Sequence, residues 1–256
     1  MPESIPFHTI AVSYLAVLFS LCVHEWAHAA SAYWMGDSTA KDRGRMTLNP
    51  LAHMDILGTL VLPLVGMATG ARVLGWAKPV PVDPSRLSRR FSQKTGMAMV
   101  AGAGPGSNIV LSFFCVLALG VSINAVASGA GTDVHKGTLF WDAVLSSVEN
   151  FSVRHHYLGW GQTFFMTLLG KMVIINIGLA IFNLLPFGPL DGASIIRGFL
   201  PWRMLPGFDR AQPVLTVIVL IAFFTGHIMM VLGPIFEFAI NFFILPLAKW
   251  IMYGFR

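Results

Sequence analysis

The sequence predicts an all-α polytopic membrane protein, with five to six transmembrane helices in a single membrane-embedded domain, 1–256. Three observations predict this fold class. The chain is 55% apolar with only 11% charged residues, its mean hydropathy is +0.69, and its apolar residues form long runs that contain few charges. A soluble domain of this length would carry about twice that charged fraction. The composition therefore excludes most soluble folds.

Five apolar runs are each long enough to cross about 30 Å of hydrocarbon at about 1.5 Å of rise per helical residue. These predicted spans are 8–35, 95–122, 162–185, 211–231 and 234–252. A sixth run, 56–70, is shorter and contains one proline and three glycines. Its length favours a re-entrant segment over a full span, because irregular backbone is tolerated at membrane depth where protein or water covers it.

The distribution of basic residues predicts the orientation of the chain. If 56–70 enters and leaves on one side, 36–94 holds nine Lys and Arg residues on that side, whereas 123–161 holds two. Basic loops face the cytoplasm, which places the N-terminus outside and the C-terminus in the cytoplasm. These loops explain the net charge of +5, so we expect no nucleic-acid partner. The first span lacks a basic start, and we expect it to be retained rather than cleaved as a signal peptide.

Between the first two spans, residues 45–50 contain turn residues, and residues 76–82 contain the alternating prolines Pro79 and Pro81. Proline alternation suits an edge strand or an extended segment and not a helix. We therefore predict a small β element at the membrane surface.

The chemistry of the chain is concentrated in its first span, where residues 24–28 read His-Glu-Trp-Ala-His. On a helix, His24 and His28 share a face, so both imidazoles can bind the same zinc ion. Glu25 lies beside that face and can take a proton from water at the metal. The alternative is that these groups cap the helix or bond to one another. Burying three ionisable groups in an apolar helix is costly unless they pair or bind an ion, which favours the metal site.

Asp191 is the candidate for a third metal ligand, because zinc hydrolases use three protein ligands and leave a fourth position for water. It follows the 162–185 span at the predicted cytoplasmic side, where the first span also ends. The alternative is that Asp191 caps the N-terminus of the next helix, a position that aspartate favours.

The motif at 24–28, taken with the segment 183–192, resembles the site-2 protease family of intramembrane zinc metalloproteases. The resemblance implies that His24, His28 and Asp191 hold one zinc ion and that Glu25 is the catalytic residue.

A third region of similarity to that family is the glycine-rich turn at 101–108. The resemblance covers about residues 8–200, the expected catalytic core, and leaves 211–252 as accessory helices that could shape a gate or a homo-oligomer contact. It resembles a compact branch, because 123–161 is too short for an inserted peptide-binding domain and no nucleotide-sensing domain follows residue 252. We therefore expect a prokaryotic inner membrane, transmembrane protein substrates and contact with the lipid bilayer.

Asn183 and Asn108 are polar residues in apolar surroundings, and we expect them to bind the substrate backbone or the oxyanion. The alternative for both is hydrogen bonding between helices, which is common for asparagine in membranes. A substrate helix must unwind before hydrolysis, and the predicted β edge could hold the unwound strand.

Other ionisable residues invite weaker hypotheses. His53 and Asp55 could form a second metal site, although an interfacial loop pair is the simpler interpretation. His155 is predicted to be solvated, and Lys171 has no partner that the sequence reveals. Two other functions compete with proteolysis: a zinc or proton-coupled transporter, and a pseudoenzyme that binds transmembrane partners without cutting them.

Overall fold

A computed structural model describes residues 7–69, 75–88, 90–129, 135–146 and 148–254. Over these ranges the regular structure is entirely helical, as the sequence predicts. Five helices are long and apolar enough to cross a membrane, and the prediction of five spans is confirmed in number and order. They extend over His8–Trp34, Gln93–Gly129, Trp160–Asn183, Leu205–Thr225 and Ile228–Tyr253.

The α-helices are numbered here in chain order. They are α1 (Phe7–Trp34), α2 (Thr39–Asp42), α3 (Pro50–His53), α4 (Leu62–Thr69), α5 (Gln93–Gly129), α6 (Lys136–Leu145), α7 (Val148–Arg154), α8 (Trp160–Asn183), α9 (Asp191–Phe199), α10 (Leu205–Thr225), α11 (Ile228–Ala239) and α12 (Leu245–Tyr253). Two π-helical turns join neighbours: Ile56–Val61 leads into α4, and Ile240–Ile244 connects α11 to α12.

Helix α5 continues to Gly129, beyond the predicted end at residue 122. Polar side chains begin at that point, and the structure gives them partners that are compatible with a helix. The Ser122 hydroxyl donates to the Ala118 carbonyl one turn earlier, and the Asn124 amide donates to the Ile251 carbonyl, each at 2.8 Å. Because both side chains form these bonds without breaking the backbone ladder, the helix does not end there.

The last two spans separate at a different residue from the predicted one. The prediction places the break at 232–233, whereas α10 ends at Thr225 and α11 begins at Ile228. Gly226 has a φ of +86°. This left-handed conformation ends helices, and glycine adopts it without the steric cost that a Cβ would bring.

The predicted β element is not found, because the described part of the chain contains no β-strand. Residues 76–82 are irregular, and their backbone bonds to other loops and to side chains. The Lys78 amide, for example, donates to the His53 carbonyl at 2.9 Å. The two prolines of this segment lack the amide donors that a strand ladder requires. In 45–50, likewise, turns lead directly into α3.

The run 56–70 is helical as far as residue 69. Asp55 starts this helix, since its carboxylate accepts hydrogen bonds from two amides of the first turn at 2.8 and 3.1 Å. The structure therefore gives no support to a re-entrant path, and residue 70, where the predicted segment ended, lies outside the described residues.

The chain divides into two compact units, each assembled from separate segments. The first unit comprises Met1–Ser20, Ile109–Gly178 and Phe236–Arg256, and the second comprises Leu21–Asn108 and Leu179–Ile235. Every residue that the sequence predicts for the functional site belongs to the second unit.

The first unit gives Lys171 the partner that the sequence does not reveal. Gly170 of α8 lies against the last turn of α6, where a Cβ would collide with the Ala143 backbone. Beside this contact, the Lys171 ammonium donates to the Val144 carbonyl at 3.4 Å. A cation is favourable at a helix C-terminus, where carbonyls lack partners within the helix. Lys171 therefore stabilises the end of α6.

His155, also in the first unit, is buried rather than solvated as predicted. Only 8% of the residue is exposed. Its Nε2 lies 3.0 Å from the Asp142 carboxylate, and that carboxylate also accepts a hydrogen bond from Arg154 at 2.7 Å. The prediction failed because Asp142 lies on another helix, α6, which brings an acidic group to the histidine.

The second unit is organised where α1 ends. Gly36 has a φ of +104°, which turns the chain after α1. The carboxylate of the fully buried Asp37 then accepts hydrogen bonds from the amides of Thr39 at 2.9 Å and Asp83 at 2.7 Å. A buried apolar cluster packs beside this turn, formed by Ala32, Leu87 and Val100 with Met35, Val82 and Met97. Through these contacts the irregular segment before Asp83 is attached to α1.

Candidate metal centre

The two histidines of the predicted motif lie one turn apart on α1, and both are buried. Their Nε2 atoms are 3.1 Å apart, and their rings meet edge to face with centroids 4.6 Å apart. The helical spacing of four residues produces this arrangement, so His24 and His28 stand as the sequence predicts.

Asp191 joins these imidazoles from the first turn of α9. One carboxylate oxygen is 3.2 Å from Nε2 of His24, and the other is 3.4 Å from Nε2 of His28. One potential ligand atom from each of the three residues lies within 4.8 Å of the other two. Among the described residues this is the only group of three or more His, Cys, Asp or Glu side chains with such geometry. The capping alternative finds no support, because the N-cap of α9 is Leu190.

Each imidazole is also held by a hydrogen bond at Nδ1, the ring nitrogen that does not face the other two side chains. Nδ1 of His24 lies 2.6 Å from the side-chain oxygen of Asn108, and Nδ1 of His28 lies 2.8 Å from the carbonyl oxygen of Val100. Because both partners accept hydrogen bonds, each Nδ1 carries the proton and each neutral ring presents the Nε2 lone pair to its neighbours.

The charges of this group fit a bound cation. The lone pairs of two imidazoles and a carboxylate face one another at 3.1–3.4 Å, an arrangement that is repulsive unless positive charge lies among them. Two imidazoles and one carboxylate are also a common ligand set for catalytic zinc.

Gly104 of α5 allows this cluster to be packed. A Cβ at this position would collide with Nε2 of His28 and with the His24 ring. By contrast, a Cβ at Gly102 or Gly106 would meet nothing within 4 Å. Of these three glycines, therefore, only Gly104 must lack a side chain, because the backbone of α5 touches both imidazoles there.

Glu25 is partly buried beside the histidines. Its carboxylate accepts a hydrogen bond from the backbone amide of Val80 at 3.1 Å. The segment that carries Val80 is held in turn by Arg45, whose guanidinium donates to the Lys78 carbonyl at 2.5 Å. The predicted acid–base residue therefore has a defined backbone partner, which comes from the irregular segment that was expected to be a strand.

The position of Asp191 depends on a tight approach of α9 to the end of α8. A Cβ at Gly192 would collide with the carbonyl oxygens of Leu184 and Leu185, so only glycine allows the two backbones to pack this closely. The Asp-Gly pair thus combines one side chain that could bind metal with one residue that has no side chain.

The two predicted asparagines differ in their contacts. The Asn108 side-chain oxygen accepts a hydrogen bond from Nδ1 of His24, so this carboxamide orients an imidazole. The Asn183 amide donates to the Leu179 carbonyl of its own helix at 3.0 Å. The described contacts do not bring Asn183 to the metal cluster, and its role in substrate binding stays a prediction.

His53 and Asp55 do not form a second metal site. His53 is buried, and its Nε2 bonds to the Thr47 carbonyl at 2.8 Å. Asp55 instead caps the helix that follows it. Sequence analysis missed Val100 and Val80, because both act through backbone atoms that no side-chain pattern marks.

Comparison with known proteins identifies a family and several relatives. The model of peptidase family M50 matches residues 12–226. The chain is 32% identical over 222 residues to the "Putative zinc metalloprotease YwhC" of Bacillus subtilis, covering 86% of this chain and 83% of that protein. It is 28% identical over 183 residues to the "Putative zinc metalloprotease Rip2" of Mycolicibacterium smegmatis, covering 72% of this chain and 55% of that protein.

No solved structure matches the chain. The family match covers most of its length, and five of its helices are long and apolar enough to make it an integral membrane protein. The chain therefore belongs to peptidase family M50, the site-2 protease family of membrane zinc metalloproteases.

Proposed function

We propose that this protein is an intramembrane protease, which hydrolyses peptide bonds in or near the transmembrane segments of other membrane proteins. One observation carries the proposal. Three side chains that can ligate zinc, His24, His28 and Asp191, converge within 4.8 Å, and two of them lie on a helix apolar enough to cross a membrane. In this proposal they hold one zinc ion, and Glu25 is the catalytic residue.

Zinc, when bound, supplies Lewis acidity toward a carbonyl oxygen and toward water. Glu25 takes the proton of the attacking water and returns it to the leaving nitrogen, so the carboxylate acts as base and then as acid. The Val80 amide orients this carboxylate through its 3.1 Å hydrogen bond. Asn108 and Val100 hold the imidazoles with Nε2 toward the cluster.

The substrate must present an extended backbone, because the carbonyls of an intact helix are engaged in hydrogen bonds. Residues 76–82 lie against Glu25 through Val80 and are irregular. We propose that the unwound part of the substrate passes beside this segment. We propose that Asn183 binds the backbone of the substrate.

The orientation is part of the proposal. Basic residues are concentrated in 36–94, which by the positive-inside rule is cytoplasmic. The N-terminus would then lie outside, with the C-terminus and the active-site end on the cytoplasmic side. The relatives named above come from bacteria, which supports a bacterial inner membrane as the location.

The test compares wild type with Glu25→Gln, both purified in detergent, on a panel of single-span membrane proteins. We expect Glu25→Gln to bind as much zinc as wild type, because Glu25 is not a ligand, and to lose cleavage by about 100-fold or more, because the proton carrier is gone. Zinc content and product are measured on the same samples.

Glu237→Gln is the matched control, since Glu237 is an exposed glutamate of α11 and its loss should leave cleavage unchanged. Equal cleavage by wild type and Glu25→Gln would refute the assignment of the base. A transporter or a pseudoenzyme would bind zinc or partners and show no zinc-dependent cleavage by wild type.

A further inference from the structure

We infer that Gln212 and Thr216 of α10 are positioning residues for the metal centre, because they hold the loop that carries Asp191. This inference rests on the proposed role of Asp191 as a metal ligand. Helix α10 supplies none of the predicted ligands, and the sequence suggests only an accessory role for it. The contacts between α10 and the loop that joins α8 to α9 indicate a more direct role for α10.

Gln212 holds the loop through the backbone of Gly188. The Gly188 amide donates to the Gln212 side-chain oxygen at 2.6 Å. The nitrogen of the same carboxamide lies 3.5 Å from the Pro186 carbonyl. One side chain of α10 therefore contacts both a donor and an acceptor of this irregular backbone, three and five residues before Asp191.

Thr216 lies one turn later on the same face of α10 and contacts the other side of the same glycine. Its hydroxyl is 2.5 Å from the Gly188 carbonyl oxygen and 2.9 Å from the Gln212 carbonyl oxygen. A hydroxyl has one proton, and the shorter distance favours the bond to Gly188. Both polar groups of the Gly188 peptide backbone thus have partners on α10.

A second attachment lies on the far side of Asp191. Arg197 of α9 forms a two-pronged ion pair with Asp209 of α10, with N–O distances of 3.1 and 3.2 Å. This pair is exposed, so it contributes little free energy, but it is a further contact between α9 and α10. Helix α10 therefore contacts the chain both before and after the ligating carboxylate.

These contacts hold a loop that has no regular secondary structure. The seven residues between α8 and α9 form no helix or strand, and a carboxylate must be held within about 0.5 Å to serve in a preorganised metal site. Gly192 fixes the distance to the end of α8. Gln212 and Thr216 fix the loop on its opposite side.

The test measures the zinc dissociation constant of the full-length protein by chelator competition, for Thr216→Val and Gln212→Met. We expect zinc affinity to fall about fivefold for each variant, the equivalent of one neutral hydrogen bond. Cleavage at low free zinc should fall with it, and excess zinc should restore cleavage. The conservative variant Thr216→Ser keeps the hydroxyl and should restore affinity.

Thr225→Val is the matched control. Thr225 lies on the same helix, and its hydroxyl bonds within α10 and to His227, so its loss should leave zinc affinity unchanged. A purely structural role for Thr216 would lower thermal stability without a zinc-reversible loss of activity, and that outcome would overturn the inference.

Asp191→Ala separates this inference from the proposed function. If Asp191→Ala loses zinc while Thr216→Val and Gln212→Met bind it as wild type does, the positioning role is wrong and the ligand set stands. If Asp191→Ala binds zinc as tightly as wild type, the ligand set itself is wrong, and the inference fails with it.

Discussion

At the scale of single residues, the most demanding position in the metal centre has no side chain. Gly104 lets α5 touch the imidazoles of His24 and His28, and a Cβ there would collide with both rings. The imidazoles are therefore fixed by hydrogen bonds at Nδ1 and by the glycine backbone. A residue with no side chain thus limits the geometry of the proposed metal ligands.

Replacing Gly104 with alanine should weaken zinc binding. The new methyl group must displace an imidazole, and overpacking of this kind costs about 1–3 kcal/mol, which corresponds to a loss of affinity of about 5- to 150-fold. Gly102→Ala is the control on the same helix, because its Cβ meets nothing within 4 Å. Zinc titration of both variants checks the prediction, and equal affinities would contradict it.

The sequence predicts side chains of this site but not the backbone groups that orient them. His24, Glu25, His28 and Asp191 can be named because their residue types and spacing indicate metal chemistry. The carbonyl of Val100 and the amide of Val80 cannot, since every residue has such groups and only the fold selects among them.

At the scale of elements, long apolar helices are predictable and short polar connections are not. The five spans follow from apolar length alone. The observed end of a helix differs from the predicted one where a distant partner or a glycine conformation decides the boundary, as at Asn124 and Gly226. The failure at 76–82 has the same origin, because its hydrogen bonds go to Arg45, His53 and Glu25 rather than to a neighbouring strand.

The amide of Val80 should matter to the rate of proteolysis and not to metal binding. Val80→Pro removes this amide hydrogen, and a hydrogen bond to a charged group contributes about 1.5–3 kcal/mol. We expect cleavage to slow by about 10- to 100-fold with unchanged zinc content. Val80→Ala keeps the amide and should cleave like wild type, so equal rates for the two variants would exclude a role for the hydrogen bond.

At the scale of the whole molecule, charge rather than packing predicts how the protein sits in the bilayer. The proposed metal residues belong to the second unit, which also contains all nine basic residues of 36–94. The positive-inside rule therefore links the location of the chemistry to one face of the membrane.

This orientation can be tested with single cysteines. The native Cys22 and Cys115 are buried, so a membrane-impermeant maleimide should react weakly with the parent protein. Ser85 and Gly159 are exposed, and Ser85→Cys should react only in inverted vesicles and Gly159→Cys only in intact cells. The reverse pattern would invert the proposed topology.

The contact between Glu25 and Val80 has a consequence for self-digestion. A protease whose own backbone lies against its proposed catalytic carboxylate risks autolysis at that point. Residues 78–81 read Lys-Pro-Val-Pro, so the bond that follows Val80, Val80–Pro81, is a tertiary amide whose nitrogen carries no hydrogen. The bond Lys78–Pro79, two bonds earlier in the chain, is also a tertiary amide. The rings also restrict the backbone that would have to distort on attack. The prolines that prevent this segment from being a strand thereby make it a poor substrate for the enzyme that contains it.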